Sequence, residues 1–192
     1  GAVGYVLSPL TQGSAFGYYG SSNVAGTYGT IALGQIFDTV YNVTGAGVET
    51  SSQQLTSAYG AYLAFEHFWS PEWRTSIFGG GQYLDYNATA NALLCSKYTG
   101  GAGSPGVLAF APGQVCNMDM LTWQAGSRTV WAPVKDLTIG FEVIYSRLEP
   151  RNEGALFAQA GNNGFLPGAP VGVYEVKDQN IWSGLLSVRR FF

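Results

Sequence analysis

The strongest constraint on this chain is alternation without a long apolar run. Hydrophobic residues make up 46% of the 192 positions and aromatics 15%. Yet no stretch reaches the roughly 20 consecutive apolar residues that a membrane helix needs. The apolar residues fall instead on every second position. The final stretch, Trp182-Ser-Gly-Leu-Leu-Ser-Val-Arg-Arg-Phe-Phe192, shows the pattern. Trp182, Gly184, Leu186, Val188, Arg190 and Phe192 share one face, mostly apolar with an aromatic at each end. Ser183, Leu185, Ser187, Arg189 and Phe191 share the other, which is mixed and charged. Successive side chains of a strand point to opposite faces. A strand apolar and aromatic-rimmed on one side and polar on the other suits a bilayer outside and water inside. Backbone in lipid is satisfied only by helices and closed barrels, so this pattern predicts a transmembrane β-barrel.

Charge supports that reading. Charged residues are 11% of the chain, against about 25% in ordinary soluble domains. The net charge is −3, which excludes the basic footprint of a nucleic-acid binder. The length fits one domain, residues 1–192. Nothing reads as a signal peptide, because Gly1 starts directly inside a glycine-aromatic strand pattern. The expectation is a processed chain or one incomplete at its N-terminus.

About eight alternating runs are predicted, most near the 9–11 residues needed to cross a bilayer when tilted. They are Ala2–Ser8, Ser14–Tyr19, Ile31–Tyr41, Leu55–Trp69, Trp73–Tyr86, Leu121–Trp131, Leu137–Arg147 and Trp182–Phe192. Only the first two fall short. The connections alternate between tight and long. Ser70–Glu72 and Ala132–Asp136 are tight; Val43–Gln54, Ala88–Asp119 and Glu149–Gln179 are long. Short turns on one side and long loops on the other are the outer-membrane arrangement. Trp69, Trp73, Trp131 and Phe192 fall on the turn side, and Trp182 at the far end of its strand. Together they are candidates for an interfacial aromatic girdle. His67 lies beside them, on the outward face.

The inward faces carry charge in the turn-side half. Glu66, Arg74, Arg128, Glu142 and Arg189 belong to the polar faces of successive strands, and Asp38 is placed on the same side from an earlier strand. They predict a belt at one end of the lumen, which would set a field for permeating ions. The competing reading is a lattice of ion pairs that stiffens the wall. Cys95 and Cys116 lie in one loop, where they form either a disulfide closing it or two unpaired thiols. A zinc site needs about four ligands, and His67 is the only histidine, so neither metal nor cofactor is called for. No catalytic constellation is present: the sole histidine sits in the rim.

Several segments resemble the porins of alphaproteobacteria, of the Brucella, Rhizobium and Bradyrhizobium type. They are Phe65-Glu-His-Phe-Trp-Ser-Pro-Glu-Trp-Arg-Thr-Ser-Ile-Phe-Gly-Gly-Gly81, Asp85-Tyr-Asn87, the cysteine-bounded loop, Trp123–Trp131, Pro133–Glu142 and the ending Asp178–Phe192. The resemblance runs through the chain in order. It implies a passive diffusion channel of sixteen antiparallel strands in the bacterial outer membrane, of which this chain would be the C-terminal half. It further implies a homotrimer in contact with membrane lipid and lipopolysaccharide. The terminal strand would then be read by the barrel-assembly machinery. The constriction loop of that family comes from the other half, so this chain would add one wall of the eyelet, with Arg74, Arg128 and Arg189 as candidates.

Two other readings stand beside it. A complete eight-stranded barrel with a structural or adhesive role would have a lumen filled by side chains. Its first strand, at Ala2, would have to pair with the strand ending at Phe192. An outer-membrane lipase or protease would need a nucleophile paired with a histidine, which the rim position of His67 does not offer.

Overall fold

The computed structural model describes residues 2–7, 15–20, 29–43, 50–100, 108–159 and 172–191. Phe192 of the expected girdle lies outside them. The described residues are all-β apart from one helix. The strands are β1 (Ala2–Leu7), β2 (Ala15–Gly20), β3 (Gly29–Gln35), β4 (Phe37–Val43), β5 (Gln54–Phe68), β6 (Trp73–Tyr86), β7 (Leu108–Ala109), β8 (Met120–Val134), β9 (Leu137–Pro150), β10 (Leu156–Gln159), β11 (Gly172–Val176) and β12 (Gln179–Arg190). The helix α1 spans Ala88–Tyr98. Seven strands form one sheet in the order β1-β4-β5-β6-β8-β9-β12, and five form another in the order β2-β3-β11-β10-β7. β1 and β12 are therefore the edges of the larger sheet, and β1 pairs with β4, from Ala2 opposite Val43 to Leu7 opposite Phe37.

The long strands follow the alternation closely. β6 has the predicted bounds, and β5 and β9 begin within a residue of theirs. β8 runs on to Val134, so the second tight turn is only Lys135-Asp136. Other expectations need correction. Ile31–Tyr41 is not one strand: it breaks at Ile36, and its halves join different sheets. The break is fixed from far away, because the Phe37 amide donates to the Tyr86 hydroxyl at 3.2 Å. The segment after Asn87, a loop by its sequence pattern, holds α1. Among its described residues, Glu149–Gln179 holds two short strands. β10 pairs with both β7 and β11, and β11 runs parallel to β3, with Tyr174 opposite Gly29.

The chain parts into two compact units. The first comprises Gly1–Tyr59, Tyr83–Leu121 and Leu148–Gln179, the second Gly60–Gln82, Thr122–Arg147 and Asn180–Phe192. The first has a dry core. Ile31, Val40, Ala90, Leu94, Phe157, Tyr174 and Val176 in it are fully buried. A smaller cluster gathers Ala32, Ile36, Leu84, Met120 and Leu148. Helix α1 contributes Ala90, Leu94 and Tyr98, four residues apart and so on one face. Asn87 caps it, its side chain accepting from the Ala90 amide at 2.9 Å.

The second unit has no such core among its described residues. Its strands stand with large apolar side chains in the open: Leu63 is 81% exposed, Leu186 70%, Trp69 and Trp182 69% each. Glycine lets aromatics lie flat here. An added Cβ at Gly80 would come within 2.9 Å of the Tyr62 ring, and one at Gly126 within 2.7 Å of the Phe78 ring.

Candidate functional site

The second unit is built from two hairpins and a last strand, and its turns set the register. Between β5 and β6, Trp69 donates its amide to the Trp73 carbonyl at 2.9 Å. The Ser70 hydroxyl accepts from the amides of Glu72 and Trp73 and donates to the Glu72 carboxylate at 2.9 Å. Pro71, which has no amide to contribute to a ladder, sits at the apex. The Ala132 amide donates to the Glu72 carbonyl at 2.8 Å, and the Phe191 amide to the Asp136 carbonyl at 2.9 Å. These bonds hold the turn-side ends of the five strands together.

That register sorts side chains onto two faces. One is apolar and aromatic. Trp73 stacks on Trp131 at 5.3 Å between ring centroids, and His67 meets Trp69 edge-on at 4.4 Å. The Trp69 indole N–H donates to the Thr75 hydroxyl at 3.1 Å, and the Thr75 and Thr129 hydroxyls bond each other at 3.2 Å. A second aromatic group forms further along the same strands: Tyr145 lies 5.3 Å from Trp123 and 4.9 Å from Trp182. Trp182 thus belongs with this second row and not with Trp69, Trp73 and Trp131. Within β8, Trp123 and Trp131 are eight residues apart, about 26 Å of strand at about 3.3 Å per residue. Ile77, Ala125, Ser127 and Val143 line a shallow hollow beside Tyr145 and Trp182.

The other face carries charge. Glu66 accepts from the Ser76 hydroxyl at 2.9 Å and pairs with Arg74 at 3.8 Å. Both side chains are more than a third exposed, so the pair adds well under about 1 kcal/mol. Thr75 and Thr129 face each other on the apolar side, so alternation puts Ser76 and Arg128 side by side on this one. The Arg128 guanidinium lies over Gly140, within 3.9 Å of where a Cβ would be. The Ser187 hydroxyl lies over the same glycine, 2.8 Å from that Cβ position, and donates to the Gly140 carbonyl at 3.5 Å. Glu66, Ser76 and Arg128 thus share a row on three strands, and Gly140 and Ser187 share one on the next two. Alternation puts Arg74 and Arg189 one step toward the turns and Glu142 one step away. Among the described residues, Arg128, Glu142 and Arg189 make no ion pair. A hollow of about 200 Å³ beside Arg74 is lined by Phe68, Val130, Ala132 and Thr138.

Five of the six charged residues expected from the sequence therefore share one face of one unit. Asp38 is in the first unit, on β4, half-buried and in no ion pair among the described residues. Ser187 stands on the charged face, as the alternation of the last strand predicts; Ser76 is not among the residues expected from the sequence. The tight turn at Ser70–Glu72 already implied that Ser76 stands opposite Glu66, so that signal was readable.

Cys95 and Cys116 are joined in a disulfide, which decides between the two alternatives left by the sequence. It ties α1 to the returning segment. A polar latch does the same at the helix's other end. Asn91 donates to the Tyr86 carbonyl at 2.8 Å and to Asp119 at 3.1 Å, and accepts from the Met118 amide at 2.8 Å. Asp119 also accepts from the Tyr86 amide at 2.8 Å. Lys97, near the helix end, lies over the rings of Phe37 and Tyr98 at 6.0 and 5.8 Å. Burial holds its ammonium below the usual lysine range. No group of three or more metal-ligating side chains occurs among the described residues.

Compared with known families, the chain matches the profile described as porin subfamily over residues 14–185. No curated protein and no solved structure gives a match.

Proposed function

The chain belongs to the porin subfamily, a family of outer-membrane channels rather than enzymes, and on that premise we propose that it forms part of a water-filled pore for passive diffusion. The permeants are ions and small hydrophilic solutes. The observation that carries this is the two-faced wall of the second unit. Apolar side chains and two aromatic rows stand open on one side. Charges, serines and glycines stand on the other. Rows about 26 Å apart along the strand, tilted by about 40°, bracket about 20 Å of bilayer. The aromatic face meets lipid and, at its outer end, lipopolysaccharide; the charged face meets water. Glu66, Arg74, Arg128, Glu142 and Arg189 line the lumen.

The strand order favours this over a closed eight-stranded barrel. Such a barrel would need β1 to pair with β12, yet they are the two edges of their sheet. The edge of β12 then faces further strands of a larger barrel. We further propose that the working unit is a homotrimer, as in the porins this chain resembles, with β12 read by the barrel-assembly machinery. Planar-bilayer recording of the full chain tests the channel: discrete conductance steps are expected. A folded, heat-modifiable barrel that conducts nothing would overturn it.

A further inference from the structure

We propose that the wall supplied by this chain favours small anions, and that Arg128 and Arg189 are the residues that do so. The inference rests on the diffusion channel proposed above and adds the class of permeant.

It starts from where the charges fall. The whole chain is acidic, with a net charge of −3. The second unit is not. Its segments contain six basic residues, Arg74, Arg128, Lys135, Arg147, Arg189 and Arg190, and four acidic ones, Glu66, Glu72, Asp136 and Glu142, a formal +2. The first unit's segments hold the remaining three basic and eight acidic residues, a formal −5. The strands that form the wall have thus gathered the positive charge of an acidic protein.

Pairing then decides which charges act on a permeant. Glu66 is engaged twice, by Arg74 and by Ser76, so it and Arg74 largely cancel. The Glu72 carboxylate is turned into its own turn by the Ser70 hydroxyl, and Lys135 and Asp136 are adjacent in the other turn. Arg147 and Arg190 stand on the lipid-side register. What is left on the charged face is Arg128, Arg189 and Glu142, none of them in an ion pair among the described residues. The balance is two guanidiniums against one carboxylate.

The geometry also presents the guanidinium well. Gly140 has no side chain, so Arg128 lies along the sheet instead of projecting away from it. Five N–H donors in a planar fork match a chloride, or the two oxygens of a carboxylate or phosphate. Alternation sets Arg189 one step toward the turn end, beyond Ser187. Arg128 on β8 and Arg189 on β12 have β9 between them, about 12 Å at about 4.8 Å per strand and about 6.6 Å per same-face step, so each presents its own positive field to a passing anion.

The test is the reversal potential of the full chain in planar bilayers under a potassium chloride gradient. Arg128→Gln with Arg189→Gln should lower the chloride-to-potassium permeability ratio about two- to fivefold, while Glu142→Gln should raise it about twofold. Lys135→Gln with Asp136→Asn, an adjacent pair of opposite charges in the turn between β8 and β9, should leave it within about 20%. Heat-modifiable migration of each variant checks that it has folded; charge-reversing Arg128→Glu serves where a glutamine variant does not fold. An unchanged ratio in the conducting double arginine variant overturns the proposal, as does an equal shift from the Lys135–Asp136 double variant. A wild-type chain that does not conduct overturns the diffusion reading instead, so the two failures are distinct.

Discussion

The two units of this chain solve opposite solvent problems with the same kind of strand. In the first, apolar side chains turn toward one another: Leu94, Phe157, Tyr174 and Val176 have no exposure at all, and a disulfide and the half-buried Asn91 lock the helix onto them. In the second, residues just as apolar turn outward. Leu63, Leu186 and Trp182 are left open, while glycines, serines and arginines collect on the reverse side. A water-soluble protein would be penalised by the second arrangement. A bilayer rewards it, because the apolar face is then dry and the polar face wet. The contrast teaches that exposure here is a statement about which solvent is meant, not about poor packing.

The largest expected effect is in the dry core. Phe157→Ala should cost about 4 kcal/mol in a urea titration of the folded barrel, since it empties a closed site. Loss limited to under about 1 kcal/mol would show that the first unit is not packed as described. Removing the disulfide with Cys95→Ser and Cys116→Ser should cost about 3 kcal/mol. Amide exchange should speed up between Asn87 and Asp119 and stay unchanged in β8 and β9; a uniform acceleration would erase the distinction between the units. Leu63→Arg sharpens the comparison from the other side. In lipid it should cost about 2–3 kcal/mol, whereas Ala64→Arg, one residue on and on the charged face, should be near neutral. Equal costs would mean that both faces meet the same solvent. The smallest effect belongs to Glu66→Gln, which should change stability by less than about 0.5 kcal/mol because its pair with Arg74 is exposed.

The second unit was legible in the sequence and the first largely was not, for one physical reason. Strand alternation and tight turns are local signals. Ser70-Pro-Glu72 fixes where β5 ends and β6 begins, and hence that Glu66 and Arg74 share a face; the face of Arg128 follows from its alternation with the aromatic Trp131 and Trp123 on β8. The first unit is held by partners far apart in the chain. Nothing near Ile36 announces a break, because the alternation continues through it; the Tyr86 hydroxyl that takes the Phe37 amide is 49 residues away. β10 and β11 are short, and each exists by virtue of strands at long range. Helix α1 is a different case. Ala90, Leu94 and Tyr98 recur every four residues behind an Asn cap, a readable helix signal that the expectation of a surface loop obscured. The far-end position of Trp182 is readable from its own strand; its neighbours there, Tyr145 and Trp123, come from other strands and are not.

The indole of Trp69 has a consequence for the thickness of membrane this wall can occupy. An interfacial tryptophan ordinarily anchors its strand at headgroup depth, because its N–H must find a polar partner there. Trp69 carries its partner with it, in the Thr75 hydroxyl at 3.1 Å, and Thr75 is itself satisfied by Thr129. The ring can therefore sink into the hydrocarbon without stranding a donor. That edge is free to ride up or down as the surrounding lipids lengthen or shorten, which reduces the penalty of hydrophobic mismatch.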